Sequence, residues 1–418
     1  MIWALGRLAT SIPEQQLLIK PDHDQHKLTA MNAKQRKLIH RTLLVLVLLC
    51  AVPAFAQVPV PAPPSIGASS YILLDFHSLQ SVAEREPDLP VEPASITKLM
   101  TSYVAFREIA MGNLALDDTV LISERAWRTP GSRMFVEVGT RVRVEDLMRG
   151  IIIQSGNDAS VAIAEHIGGS EEVFASMMNE QARALGMVNT NYVNSTGLPD
   201  PEQLTSARDS ALLARALISE FPDFYSWYSE REFIYNEIRQ HNRNRLLWRD
   251  PSVDGLKTGH TTSAGYCLVT SASRDGMRLI SVVMGTASEE ARATASQALL
   301  NYGFRFFETY QLYEAGDELR RERVWQGSER EVSLGIADDL FVTIPRGRYD
   351  ALEARLELDD DLTAPLAEGE AVGQLMIVLD ADVVAQRPLV TRQAVERAGF
   401  FGRTTDGLRR WVGGLFGG

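Results

Sequence analysis

Pro93-Ala94-Ser95-Ile96-Thr97-Lys98 is the stretch of this sequence from which the fold class and the chemistry are first predicted. Residues 94–111 are apolar at helical spacing, and a proline just before them suits the first turn of a helix. On that helix Ser95 and Lys98 lie one turn apart on the same face. Free N–H groups at the helix start stabilise negative charge. A neutral Lys98 could therefore accept the Ser95 proton and create a serine nucleophile.

Two further motifs follow in the chain. Ser155-Gly156-Asn157 interrupts a helical stretch over residues 144–167, and it presents a hydroxyl and an amide together. This triplet is also ordinary turn chemistry. Lys257-Thr258-Gly259-His260-Thr261 leads toward a strand at residues 265–272, and its glycine lets a substrate backbone approach closely. A strand edge of this kind can pair with an extended peptide. Alone, Lys257 could also be a surface lysine.

The distribution of lysine supports both lysine-containing motifs. From Gln57 onward the chain has 33 arginines and only two lysines, Lys98 and Lys257. Arginine cannot lose its proton in a protein, whereas a buried lysine beside other cations can. Chance survival of two lysines is the alternative explanation. Since both fall within the motifs, we expect both amines to act in the chemistry, with Lys257 lowering the pKa of Lys98.

Composition excludes several classes of protein. From Gln57 onward there are 35 basic and 51 acidic residues, a net charge of −16, which argues against a nucleic-acid partner. Cys267 is the only cysteine in that part, so no disulfide framework is expected. The Gly-x-Ser-x-Gly and His-Glu-x-x-His patterns are absent from the sequence, which weakens histidine-triad and zinc-enzyme interpretations.

Ser-x-x-Lys, Ser-x-Asn and Lys-Thr-Gly in this order form a specific signature. The chain closely resembles the low-molecular-mass D-alanyl-D-alanine carboxypeptidases of the penicillin-binding protein 5 and 6 type. Arg245 and Cys267 stand where glycine and asparagine are expected. The resemblance extends over nearly the whole chain after residue 56 and rests on residues 93–98, 195–198, 242–244, 253–261, 302–309, 343–348, 386–389 and 399–402.

The resemblance implies a role for each motif residue. Ser95 would be acylated, with Lys98 as its base, and the backbone N–H groups of Ser95 and His260 would form the oxyanion hole. Arg292 would bind the terminal substrate carboxylate, with Arg243 near the cleft; a structural salt bridge is the alternative for each arginine. No metal or organic cofactor is implied. The remaining predicted site residues are Ser155, Asn157 and Lys257 in the proton network, and Thr258 and Gly259 at the substrate.

The implied reaction removes the terminal D-alanine from peptidoglycan stem pentapeptides, with β-lactams as acylating inhibitors. A D,D-endopeptidase that cleaves crosslinks would use the same three motifs. A class A β-lactamase is less favoured because its Glu-x-x-Leu-Asn loop sequence is absent. A wall-binding module without catalysis would not need Ser95 or the two lysines.

The sequence predicts four segments. Residues 1–56 contain a positive flank, an apolar run and Ala54-Phe55-Ala56, which is typical of a signal peptide cleaved after about Ala56, with Met31 as the predicted start. A retained transmembrane helix is the alternative. Residues 57–310 form an α/β (α+β) β-lactamase/transpeptidase-like catalytic domain, in which helices flank an antiparallel sheet. Residues 311–392 contain short β-rich runs, typical of a small sandwich.

Residues 393–418 form the fourth segment, an amphipathic helix. Leu408, Trp411, Val412, Leu415 and Phe416 recur at helical spacing, which predicts peripheral attachment to a membrane surface. Docking of this helix on its own β-domain is the alternative. We therefore expect a periplasmic protein on the outer face of the bacterial inner membrane.

Overall fold

The computed structural model describes residues 60–399. The predicted leader and residues 400–418 of the predicted anchor helix lie outside this range, so both stay predictions. Within the range, no helix combines the length and apolar character needed to cross a membrane.

The catalytic part is built on a five-stranded sheet in which every neighbouring pair is antiparallel. The strand order is β2-β1-β9-β8-β7, so the first strands of the sequence join the last ones in a single sheet. The strands are β1 (Ser70–Asp75), β2 (Ser81–Arg85), β7 (Val253–Thr261), β8 (Gly265–Arg274) and β9 (Met277–Thr286).

Helices cover both faces of this sheet, and each face has its own apolar core. One core joins the inner face of the sheet to the central helices, and the other packs α9 against the opposite face. The helices are α1 (Lys98–Ala110), α2 (Glu124–Arg128), α3 (Val144–Arg149), α4 (Asn157–Gly168), α5 (Glu171–Ala184), α6 (Ala207–Glu220), α7 (Pro222–Tyr225), α8 (Leu246–Arg249) and α9 (Glu289–Phe306).

Shorter elements complete the catalytic part. Two small antiparallel pairs are β3 (Thr119–Leu121) with β4 (Arg141–Arg143), and β5 (Glu232–Tyr235) with β6 (Ile238–His241). A 3₁₀ turn at Ala94–Thr97 runs directly into α1, and a π-helical turn at Gly150–Gln154 follows α3.

The remaining strands form an all-β module with a two-stranded and a five-stranded sheet. The pair is β10 (Phe307–Tyr313) with β13 (Leu340–Pro345). The larger sheet has the order β11-β12-β16-β15-β14, with β11 (Arg320–Arg323), β12 (Glu331–Gly335), β14 (Leu352–Leu358), β15 (Ala371–Leu379) and β16 (Asp382–Thr391). A 3₁₀ turn at Tyr349–Ala351 precedes β14.

The predicted fold class is confirmed: an antiparallel sheet with flanking helices is followed by a β module. The predicted boundary after residue 310 falls inside β10, which pairs with β13 rather than with the catalytic sheet. The predicted helical stretch at 144–167 is divided into α3, the π-turn and α4, and the break lies at Ser155 and Gly156.

Candidate active site

Ser95 and Lys98 lie together at the start of α1, where the 3₁₀ turn becomes α-helix. Lys98 is fully buried, and its Nζ lies 3.1 Å from Ser95 Oγ. The same amine donates to Asn157 Oδ1 and to the Thr196 carbonyl, each at 2.6 Å. These acceptors fix the amine beside the hydroxyl, so a proton can pass directly from Ser95 to Lys98 when the amine is neutral.

The second motif enters the cleft because the helix is broken before it. The π-turn Gly150–Gln154 ends at Ser155, whose φ of 66° lies in the left-handed region. Such a conformation is costly for a residue other than glycine and is concentrated at functional sites. It places the Ser155 hydroxyl near the third motif, while Asn157 opens α4 and donates from Nδ2 to the Pro130 carbonyl at 2.6 Å.

Lys257 comes from β7, the sheet strand nearest the helix that carries Ser95. Its buried Nζ donates to Ser155 Oγ and to the Thr258 carbonyl, each at 2.9 Å. The five predicted catalytic side chains therefore form two hydrogen-bonded groups, one around Lys98 and one around Lys257. Ser95, Ser155 and Asn157 line one cleft, and the two lysines are buried behind it, bonded to those residues.

Burial determines the charge state of both amines. Burial and, to a smaller extent, the charge of Arg243 lower the pKa of Lys98 to about 7, against the opposing charges of Asp158 and Glu171. Burial also lowers the pKa of Lys257 well below its usual range, and the positive charges of Lys98 and Arg243 add to this effect. We expected Lys257 to depress the pKa of Lys98, but Lys257 is not among the groups that shift it. The repulsion acts in the other direction, since Lys98 lowers the pKa of Lys257.

The cleft has a volume of about 300 Å³ and opens beside Ser95. Thr258, Gly259 and His260 form one wall, and the His260 imidazole stacks on Tyr266 with ring centroids 3.9 Å apart. The remaining lining residues are Gly131, Ser132, Ser155, Asn157, Thr196, Gly197, Leu198, Arg243, Thr261, Tyr266, Glu289 and Arg292.

Both predicted substrate-binding arginines line this cleft. Arg292 is buried, and its Nη1 donates to the Gly259 carbonyl at 3.1 Å, while Arg243 reaches across the cleft to donate to Ser132 Oγ at 2.7 Å. In the part of the chain from residue 60 to 399, no carboxylate lies within salt-bridge distance of either guanidinium. The alternative of a structural salt bridge therefore fails, and both cations remain available to an anionic ligand.

Comparison with known proteins decides the family. The model of the D-alanyl-D-alanine carboxypeptidase family, peptidase S11, matches residues 57–288. The model of the penicillin-binding protein 5 C-terminal domain matches residues 307–397. This chain belongs to the S11 D-alanyl-D-alanine carboxypeptidase family. The predicted resemblance is confirmed.

Known proteins are similar in sequence and in structure to most of this chain. D-alanyl-D-alanine carboxypeptidase DacC of Escherichia coli K12 is 43% identical over 380 residues, which are 88% of this chain and 95% of the relative. The crystal structure of penicillin binding protein 5 from Haemophilus influenzae has a TM-score of 0.79 at 43% identity, covering 81% of this chain and all of that one. Penicillin-binding protein D2 of Listeria monocytogenes, in its ampicillin-bound form, has a TM-score of 0.54 at 27% identity and covers 58% of this chain and 100% of its own.

In the structure of this S11 family member, three groups outside the predicted motifs also contact or support the site residues. The Thr196 carbonyl accepts from Lys98, Ser132 accepts from Arg243, and Glu171 lies buried behind the Thr196 segment. A backbone carbonyl has no residue-type signature, so no sequence pattern could have identified Thr196 for this contact. Within residues 60–399, no group of three or more His, Cys, Asp and Glu side chains is arranged to hold a metal ion.

Proposed function

We propose that this protein is a serine D-alanyl-D-alanine carboxypeptidase that removes the terminal D-alanine from peptidoglycan stem pentapeptides. The observation that carries the proposal is the 3.1 Å contact between Lys98 Nζ and Ser95 Oγ in a cleft that is also lined by Arg243 and Arg292. A buried amine with a pKa near 7 is suited to general base catalysis at neutral pH. The carboxypeptidase names of the relatives agree with this assignment.

In the proposed reaction neutral Lys98 takes the Ser95 proton as Oγ attacks the carbonyl carbon of the penultimate D-alanine. The tetrahedral intermediate is stabilised by the backbone N–H groups of Ser95 and His260. The C–N bond then breaks, and the leaving D-alanine amine takes the proton held by Lys98, with Ser155 and Lys257 beside it in the cleft. Water finally hydrolyses the Ser95 ester and restores the free hydroxyl.

Substrate specificity in this proposal comes from the two arginines. The free carboxylate of the terminal D-alanine is bound by Arg292, with Arg243 contributing charge from the cleft rim. A guanidinium fork matches a carboxylate in shape and charge. The peptide itself lies along β7 at Thr258 and Gly259, where an extended backbone can pair with the strand.

β-Lactams are proposed as inhibitors that acylate Ser95. The ampicillin-bound Listeria relative supports this, because it contains the drug in a related fold. The proposed location is the periplasm, on the outer face of the inner membrane, with the signal peptide and the C-terminal amphipathic helix as its determinants.

Mass spectrometry of the purified mature protein tests the proposal. Incubation with benzylpenicillin should leave a covalent adduct on the peptide that contains Ser95. Incubation with a pentapeptide ending in D-Ala-D-Ala should release D-alanine. We expect Ser95→Ala to abolish both results while the protein remains folded.

An adduct on another residue, or undiminished D-alanine release by Ser95→Ala, would refute the assignment. A crosslinked muropeptide dimer serves as the second substrate. Faster cleavage of that dimer than of the pentapeptide would favour the D,D-endopeptidase alternative. Rapid hydrolysis of the penicilloyl adduct, with recovery of free Ser95, would favour the β-lactamase alternative.

A further inference from the structure

The Ser195-Thr196 peptide supplies one of the three hydrogen-bond partners of Lys98. The Thr196 carbonyl accepts from Lys98 Nζ at 2.6 Å, as short as the contact to Asn157. A carbonyl in this position stabilises the ammonium form of Lys98 after it has taken a proton. In the proposed reaction, the position of the Thr196 backbone therefore affects how readily Lys98 accepts the Ser95 proton, and so how fast Ser95 is acylated.

Glu171 holds this loop from behind. It is a buried carboxylate at the start of α5, and its Oε1 accepts from the Ser195 backbone N–H at 3.0 Å and from Ser195 Oγ at 2.7 Å. Its Oε2 accepts from Arg125 at 2.8 Å. Hydrogen bonds to a carboxylate are stronger than neutral ones, so Glu171 attaches the loop firmly to α5, in addition to the side-chain contacts of Asn194 and Gln203.

The other side of the same peptide is attached to α1. Thr101 Oγ1 donates to the Ser195 carbonyl at 2.6 Å, and Thr101 lies one helical turn after Lys98. The peptide is thus fixed between α5, through Glu171, and the helix that carries the catalytic pair. Glu171 does not line the cleft, and both of its carboxylate oxygens are already held, one by Ser195 and one by Arg125.

We propose that Glu171 is a positioning residue that holds the Ser195-Thr196 peptide so that the Thr196 carbonyl orients Lys98 toward Ser95. This inference rests on the proposed function, because it concerns the base of that reaction. It adds a residue outside the three motifs, and it acts through the loop rather than by contact with substrate.

Glu171→Gln tests this role, with Glu172→Gln as the matched control. Glu172 is the neighbouring residue, pairs with the same Arg125, and has an exposed side chain. We expect Glu171→Gln to slow acylation by a fluorescent penicillin about tenfold or more, because a charged hydrogen-bond acceptor is lost. For the pentapeptide the loss should appear in kcat rather than KM. Glu172→Gln should match the wild type.

The pH profile separates positioning from general damage. The negative charge of Glu171 raises the pKa of Lys98, and the Thr196 carbonyl also favours the ammonium form. Loss of either effect lowers that pKa, so the acidic limb of acylation by Glu171→Gln should move to lower pH while its plateau falls. Loss of the charge alone would move the limb and leave the plateau unchanged, and a purely structural defect would lower the plateau and leave the limb unmoved, so the positioning role requires both changes together.

The proposal would be overturned if Glu171→Gln folds and shows the same acylation rate, and the same acidic limb of its pH profile, as Glu172→Gln. If Glu171→Gln fails to fold, Ser195→Ala replaces it, since this change removes only the 2.7 Å contact to Glu171. That variant should show a smaller effect in the same direction, and an unchanged rate and limb would reject the role. Failure of the proposed function is distinguishable, because the wild type would then acylate with penicillin but release no D-alanine.

Discussion

Lys98 and Lys257 are the only lysines after residue 56, and the structure buries both in one cleft. Arginine occupies the other positions where the chain needs a cation. This separation follows from chemistry, because arginine keeps its proton whereas a buried lysine can lose it near neutral pH. The sequence alone therefore identified the two amines, although it could not give the cause of the Lys98 pKa shift.

Acylation should require neutral Lys98, which predicts its pH dependence. The pKa of Lys98 is lowered to about 7, so the amine is protonated below that pH and neutral above it. The acylation rate of the wild type should rise with pH through about 7. Lys98→Arg should keep the fold but lose acylation at every pH, because arginine cannot act as a base. Stopped-flow acylation with a fluorescent penicillin measures both.

Near-normal acylation by Lys98→Arg would contradict the role of a free lysine base. A wild-type rate that falls through neutral pH would contradict the assigned charge state. Circular dichroism of the variant provides the control for folding.

At the scale of single residues, sequence patterns located the motif side chains but missed their supports. Glu171 follows Ser170 at a helix start, where an acidic residue is expected for helix stability alone. Its contact with Ser195 joins residues 24 positions apart, and no local pattern records such a pairing. Ser132 is likewise an ordinary loop serine until Arg243 reaches it from a distant segment.

At the scale of elements, apolar periodicity predicted the long helices and the sheet strands but not the polar hairpin. β5 and β6 are mostly exposed, and Gln240 is their one fully buried residue. Each strand is only four residues long, and Phe233 and Tyr235 of β5 are only partly buried against the core, so the alternation by which strands are recognised is too short to stand out. The break at Ser155 was recognised because its residues are turn formers, whereas the π-turn before it has no sequence signature.

Gly197 shows how closely two of these elements approach. Its φ is +80°, and a Cβ there would lie 1.7 Å from the Ala94 carbonyl oxygen, beside the catalytic serine. Gly197→Ala should therefore lower the free energy of unfolding by roughly 3 kcal/mol or more, and should slow acylation by displacing Ser95. Urea unfolding and the penicillin acylation rate measure the two effects.

Gly186→Ala is the matched control. Gly186 also has a positive φ, of +74°, but a Cβ there would meet no atom within 4 Å. We expect that variant to lose only about 1–2 kcal/mol from backbone conformation and to acylate normally. If both variants lose the same unfolding free energy and the same acylation rate, the close approach of Gly197 to Ala94 is not the reason that position 197 requires glycine.

At the scale of the whole molecule, the catalytic part and the β module have separate apolar cores within residues 60–399. Hydrogen bonds, one aromatic ring stack and the partly buried Phe307 of β10 join them. Thr309 Oγ1 donates to the buried Asp75 Oδ2 at 2.7 Å. The hydroxyl oxygens of Ser78 and Thr343 lie 2.6 Å apart. The His77 ring stacks on the Phe341 ring. Because little apolar surface is shared, unfolding of one part need not unfold the other.

Calorimetry of the mature protein should therefore show two unfolding transitions. The penicilloyl group stays attached to Ser95 in the folded and the unfolded protein, so it stabilises the fold only through the contacts it makes in the folded cleft. We expect those contacts to raise the transition of the catalytic part by a few degrees and to leave the other transition in place. Ser95→Ala, which forms no adduct, should show both transitions at the same temperatures with and without the drug. A single transition that penicillin moves as a whole would mean that the polar contacts around Asp75 couple the two parts into one cooperative unit.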